Sequence, residues 1–486
     1  MRRKRLIWTS ELHAESRLSN LISKRSTAFI GEIADAGMPT HGSPLRGRDE
    51  AIFLLHIAGE IEHSLMVQYL YAAYSLDADQ VAGNRHENAV TWQHAILDIA
   101  REEMGHLITV QNLLRVIGGP LTFEREDYPF RSELYPFPFQ LEPLSRHSLA
   151  KYIVAEMPAD PKEPDIEEIK REAMEGNEGR AVNRVGALYA RIIKLFEDST
   201  ALPDREFRED SVGYQADFAT WGRNYTRGQR PDIQTDQLKR SPELIIRPIG
   251  SRTQALAALR AVAEQGEGAS MNDQPDPDAE ISHFQRFLEI YRAFSKVKPP
   301  PVKAVPVNPA TMPAATGELI EREPALITHP TSLVWAQLFN TRYRMLLNLL
   351  MHALHIEDSV QTMAGALSAR GRLIVAAFGE MYHLRALANI VTRQPLAERG
   401  RNRCGPPFEL PYTLALPDQE PNRWRMHRDV LGSSKILIDF LCDVPKLEEI
   451  GFLQALAAED VRFLSFIEKI LGTTCGQKFS PRAASL

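Results

Sequence analysis

A helical seam that is apolar except at two ionisable positions constrains this chain more than any other feature. Between residues 96 and 117, Ile96, Ile99, Glu103, His106, Val110, Leu113 and Ile117 follow one another at steps of 3, 4, 3, 4, 3 and 4. That rhythm puts all of them on one face of an α-helix turned toward other helices. The aliphatic run is interrupted by a carboxylate and an imidazole one turn apart. An unpaired buried charge costs several kcal/mol, so the two groups need a partner. Either they satisfy each other, the commoner reading of a lone Glu-x-x-His, or they hold a metal ion. Alone, the motif does not choose.

Three other stretches of the chain bear on that choice. Residues 49–76 carry the same seam: Leu55, Gly59, Glu62, Met66, Tyr69, Ala73 and Leu76, interrupted by the carboxylate of Glu62. The midpoint between Glu62 and Glu103 falls in the polar turn that holds Gly83 and Asn84. Two antiparallel helices closed there bring both carboxylates to one depth. The second helix is stopped by Gly118, Gly119 and Pro120. A helix predicted over 279–294 repeats the pattern with Glu280, His283, Phe287, Ile290 and Phe294, and the helix before it, over 252–268, ends in Gln265-Gly266-Glu267-Gly268.

The candidate ligands are therefore Glu62, Glu103, His106, Glu267, Glu280 and His283. One Glu from each of two helices, with Glu-x-x-His from each of two others, is the dinuclear carboxylate pattern of ferritin-like bundles. Such a set suits two Fe ions, or Mn, with open positions for O2 or water. Glu267 lies between two glycines and is alternatively an ordinary helix-end residue, with Glu178 and Glu197 in reserve. Glu102 points about 100° away from Glu103 and either backs a ligand or is solvated. Glu60, His63 and His94 fall off the seams and read as structural. Tyr69, seven residues after Glu62 on the same face, is the candidate catalytic residue, as a hydrogen-bond donor to a ligand or a redox side chain.

The predicted organisation is mainly α. An N-terminal arm covers 1–47. A ferritin-like four-helix bundle covers 48–296, with a long crossover insertion at about 120–250 that holds helices near 165–177 and 181–197. Residues 297–330 carry eight prolines and form a linker or a surface strap. A C-terminal helical domain follows over 331–486, with helices near 332–357, 370–392, 428–442 and 446–471. The aromatic stretch 128–139 lines a pocket or covers the crossover. The net charge of −6 argues against nucleic-acid binding. There is no secretory h-region and no 18-residue uncharged run, so a cytoplasmic, non-membrane protein is expected. The three cysteines, Cys404, Cys442 and Cys475, lie far apart, as in a reducing compartment.

The segments EHSLMVQYLYAAYSL, IAREEMGHLITVQNLLRVIGGP, AEQGEG and EISHFQRFLEI resemble the ferritin-like domain of the iminophenyl-pyruvate dimer synthase family. Its members include enzymes of violacein and rebeccamycin biosynthesis that couple two amino-acid-derived imines. LFNTRYRMLLNLL, FGEMYHLRALANIV and GPPFEL resemble the family's second helical half, so the likeness covers most of residues 49–410. It implies a bundle acting in bacterial natural-product biosynthesis, with the family's ligand pattern falling on the six residues above. Where the family often has a proline pair in the first helix, this chain has Val67-Gln68. The violacein and rebeccamycin enzymes are also much longer chains.

The expected function is that of a di-iron oxidoreductase or oxygenase using O2 on a small amino-acid-derived or aromatic metabolite. An imine-coupling enzyme and a non-redox scaffold for a biosynthetic partner enzyme are the alternatives, and a homo-oligomer is compatible with each. Iron storage fits less well, because the chain is much longer than a minimal storage bundle. In the second half, His352, His355, Glu357, Glu380 and His383 suggest a second metal site or, more simply, buried polar pairs.

Overall fold

A computed structural model describes residues 45–78, 81–130, 132, 134–217, 221, 244–267, 281–313, 324–357, 367–410 and 415–472. The first two helices, α1 (Arg48–Ser75) and α2 (Asn84–Val116), are the long seams seen in the sequence, and they pack along each other. Both start after glycines with positive φ, Gly47 and Gly83. At Gly47 the need is also steric, since a Cβ there would sit 2.5 Å from the Ala201 carbonyl oxygen. Gly59 gives close approach in the middle of the pair, where a Cβ would meet the side chains of Val110, Gln111 and Leu107.

The crossover is more helical than its prolines and aromatics suggest. It contains α3 (Arg146–Glu156), α4 (Ile166–Gly176) and α5 (Val185–Glu197). The sequence reading missed α3. Ser145 caps it by accepting from the Ser148 amide, while the Ser148 hydroxyl accepts from the Ser145 amide. This is a reciprocal capping box built with Ser in the place that Glu usually takes. The bundle is completed by α6 (Arg252–Glu267) and α7 (His283–Phe294), the latter capped by Ser282. α3 packs on α7 and α4, α5 packs on α1 and α6, and α7 also touches α2 and α6.

The second half holds α8 (Pro330–Ala353), α9 (Ala369–Val391), α10 (Glu420–Cys442) and α11 (Ile450–Ile470). α8 packs on α9 and α10, and α10 on α11. The described part of the proline-rich segment is laid against the first half. Pro301 O accepts from the Asp77 amide at 2.8 Å, and the Lys303 amide donates to Ser75 O at 2.8 Å. Asn308, at φ 51, donates its amide to Leu141 O and accepts the Leu141 amide on Oδ1. β1 (Pro309–Ala310) then pairs in parallel with β2 (Ala325–Leu326). Proline suits such a strap, because it fixes an extended backbone at little conformational cost and its carbonyls remain free to accept.

The two halves share one apolar core. At their junction His63 is fully buried, with Nδ1 2.7 Å from Phe123 O and Nε2 against the Tyr343 hydroxyl. Burial and the neighbouring Arg125 hold this imidazole well below its usual range, so it is neutral and serves as a buried polar link. Arg125 donates to Tyr343 Oη at 3.2 Å and to Phe408 O, and the Leu410 amide donates to Asp127 at 3.1 Å. The aromatic stretch covers the crossover: Tyr128, Tyr135, Phe137 and Phe139 are all buried. No described helix is long and apolar enough to cross a membrane.

Candidate metal centre

The inward faces of α1, α2, α3 and α7 converge on a cluster of ionisable groups inside the apolar core. Among the described residues, two triads have potential ligand atoms within 4.8 Å of one another: Glu62, Glu103 and His106, and Glu103, Glu156 and His283. Each of these side chains is 4 % exposed or less. The triads share Glu103. Its Oε2 lies 3.0 Å from His106 Nδ1, and its Oε1 lies 3.0 Å from His283 Nδ1. Glu62 approaches His106 Nδ1 at 3.4 Å, and Glu156 approaches His283 Nδ1 at 3.7 Å. The imidazoles lie side by side with ring centroids 5.5 Å apart.

Each outer carboxylate has a buried phenol. Tyr69 Oη donates to Glu156 Oε1 at 2.6 Å, and Tyr189 on α5 donates to Glu62. Each imidazole turns Nδ1 inward and keeps Nε2 for an acceptor behind it. His106 Nε2 lies 2.9 Å from Gln265 Oε1, and His283 Nε2 lies 2.9 Å from Glu102 Oε2, which also accepts from Arg286. A back-side acceptor fixes ring orientation and tautomer, as imidazoles that ligate metals require.

The groups perturb one another strongly. Burial, reinforced by repulsion from Glu103, pushes the Glu62 carboxyl up to about 8. Burial opposes charge on His106, yet hydrogen bonds to Glu103 and Glu62 outweigh it and bring the imidazole up to about 10. His283 is likewise held well above its usual range by Glu103 and Glu102 in spite of burial. Glu103 is buried too, but the two imidazoles keep it well below the ordinary carboxylate range. Without metal, the cluster thus holds its charge as imidazolium around one shared carboxylate.

The donor set suits a pair of divalent ions. It consists of carboxylate oxygens and imidazole nitrogens without thiolate, which favours Fe or Mn. Glu103 Oε1 and His283 Nδ1 are buried and face each other without a well-aligned hydrogen bond. Beside Glu156 the chain has Gly266, where a Cβ would stand 3.1 Å from Glu156 Oε2. Glycine thus leaves room around that carboxylate.

Of the sequence candidates, Glu62, Glu103, His106, His283 and Tyr69 come together here. Glu280 lies outside the described residues. Glu267 is the last residue of α6, and its side chain lies outside the described residues. The reserves are elsewhere: Glu178 is exposed in a turn at φ 56, and Glu197 is paired with Arg260 on the surface. Glu102 is fully buried and backs His283, so of its two readings the solvated one does not hold. Glu156, Tyr189, Gln265 and Arg286 were missed. For Glu156 the signal was present, because Leu149, Tyr152 and Glu156 step by 3 and 4 like the recognised seams.

The second-half candidates form no common site. Arg342 on α8 bridges Glu380 at 2.6 Å and Asp460 at 2.6 Å, and His383 lies against the same Glu380. His352 instead sits between His427, at 3.0 Å, and Glu420, at 2.9 Å. Burial lowers both imidazoles to about 3, so they are neutral. These are buried polar pairs.

Residues 55–292 match the family model described as Ferritin-like, and this part of the chain is a ferritin-like domain. Its curated relatives include dichlorochromopyrrolate synthase of Lentzea aerocolonigenes, 25 % identical over 414 residues, covering 76 % of this chain and 37 % of the relative. A second is 2-imino-3-(indol-3-yl)propanoate dimerase of Chromobacterium violaceum, 26 % identical over 388 residues, covering 74 % of this chain and 33 % of the relative. The chain thus spans about a third of the length of these relatives. No solved structure matches.

Proposed function

We propose that the chain is a dinuclear-metal enzyme acting on a small amino-acid-derived or aromatic metabolite in natural-product biosynthesis. The observation that carries this reading is the pair of triads sharing Glu103, each with an imidazole Nδ1 turned inward. Glu62, Glu103 and His106 would hold one ion, and Glu103, Glu156 and His283 the other. Glu280, one turn before His283 in the sequence, remains in the proposed set, as does Glu267. Two iron or manganese ions there would supply redox chemistry with O2.

The residues of the chain then have separable tasks. The surrounding core excludes water, which strengthens every charge interaction at the site. Tyr69 and Tyr189 orient the outer carboxylates and hold a proton on each phenol oxygen, since burial and the facing carboxylates push both phenols well above their usual range. Glu102 and Gln265 fix the imidazoles. Elemental analysis of protein produced with added iron should give about two ions per chain, falling toward zero in Glu103→Ala, which removes the shared ligand. Full occupancy in that variant would overturn the assignment.

A second reading is imine coupling, and the Chromobacterium relative, a 2-imino-3-(indol-3-yl)propanoate dimerase, favours it. The two are separated by supplying an indolyl-pyruvate imine to reduced, metal-loaded protein. O2 uptake with an oxidised monomer supports the oxygenase reading. A carbon–carbon-coupled dimer, formed with one two-electron equivalent of O2 or added peroxide consumed per dimer and no oxygen incorporated, supports the other.

A further inference from the structure

The described half-sites match residue for residue. Glu62 corresponds to Glu156, Tyr189 to Tyr69 and His106 to His283, and Glu103 is common to both. The pairing breaks behind the imidazoles. His283 Nε2 is bonded to a carboxylate, Glu102, which is itself ion-paired with the buried guanidinium of Arg286. His106 Nε2 is bonded to the neutral amide of Gln265. Both arrangements fix the ring at the same 2.9 Å distance, so ring placement does not distinguish them.

What differs is charge. A carboxylate behind an imidazole draws on the Nε2 proton and makes Nδ1 a stronger donor to a cation, whereas an amide oxygen does so only weakly. Altering such an outer partner commonly changes metal affinity by about 10- to 100-fold. Glu102 also brings a negative charge close to the His283 half-site. Its countercharge, Arg286, donates to the same Glu102 Oε2 that faces His283 Nε2, so the three groups form one buried chain, Arg286–Glu102–His283.

Resting on the dinuclear reading above, we infer that the two metal positions are inequivalent: the His283 position fills first, with Glu102 as the positioning residue that sets the order. The His106 position, backed by Gln265, fills second. A chain at limiting metal supply is then mostly singly loaded, and the second ion decides whether the complete centre forms.

The test is anaerobic titration of metal-free full-length protein with Co2+, followed by calorimetry and visible absorbance. Two steps are expected, separated by about 10- to 100-fold in affinity. Glu102→Gln should weaken the first step by at least about tenfold and leave the second within about twofold, bringing the two together. Gln265→Glu leaves the Glu102–Arg286 pair intact, so it provides an independent variant should Glu102→Gln unfold. It should tighten the second step and narrow the gap from the other side. Two equal steps in the unaltered protein, or equal weakening of both steps by Glu102→Gln, would overturn the inference while leaving the dinuclear centre standing. Absence of any Co2+ uptake by folded protein would instead overturn the dinuclear reading itself.

Discussion

Loading the centre with metal should drive protons out of it, and their number follows from which groups of the metal-free cluster carry one. At pH 7 a carboxyl at about 8 is mostly protonated, and an imidazole at about 10 is almost fully so. His283, held well above its usual range, carries a proton as well. Metal ligation needs neutral imidazole and ionised carboxylate. Two divalent ions entering through Glu62, Glu103, His106, Glu156 and His283 should therefore release about three protons. The product of the two association constants should rise about a thousandfold per pH unit near pH 6–7. Calorimetric titration with Mn2+ in two buffers of equal pH and different ionisation enthalpy counts the protons directly. Glu62→Gln should lower the count by about one. A heat independent of buffer would mean that the imidazoles are already neutral, and the charge arrangement derived for the empty cluster would be wrong.

The same shifts give the metal-free protein the opposite pH dependence. A raised pKa stabilises the fold at low pH: the Glu62 contribution is complete below its unfolded value of 4.5 and lost as pH rises through about 8, and that of His106 is complete below 6.5 and lost through about 10. Thermal melts of the metal-free protein should therefore fall from pH 6 to pH 9. Glu156→Ala should cost one metal per chain by elemental analysis, whereas Glu178→Ala should cost none. Arg342→Met removes the cation between buried Glu380 and Asp460 and should lower stability by about 3–5 kcal/mol in urea unfolding. Gly405→Ala places a Cβ 2.2 Å from the buried Tyr71 hydroxyl and should destabilise by about 1–3 kcal/mol in the same assay.

The parts of the centre that could be read in the sequence are those carried by long, uninterrupted seams. Glu62, Glu103 and His106 stand out because the apolar rhythm on either side of them spans many turns, and the turn at Gly83 fixes their relative depth. His283 was legible through its Glu-x-x-His spacing, even though α7 starts only at that residue. Glu156 was hidden because α3 is short, sits among prolines and aromatics, and begins with a capping box lacking the usual Glu. Gln265, Glu102 and Arg286 act from behind the imidazoles. A position one step off a seam has the same periodicity whether it faces solvent or a neighbouring helix, so only packing tells the two apart. The proline-rich stretch posed a similar problem: composition marks an extended backbone but not what that backbone lies against.

That stretch sets a practical limit on dissecting the protein. Residue 296 looks like a natural place to cut, since helix α7 has ended and the prolines begin. Yet a fragment stopping there loses the carbonyl that receives the Asp77 amide, the amide that caps Ser75 O, and the Asn308 clasp on Leu141. It also bares Tyr71, whose hydroxyl is bonded to Pro306 O, and strips Tyr343 from His63. Expression of 48–296 should give aggregated material. The smallest soluble unit carrying the centre will have to include the strap and the helices it leads into.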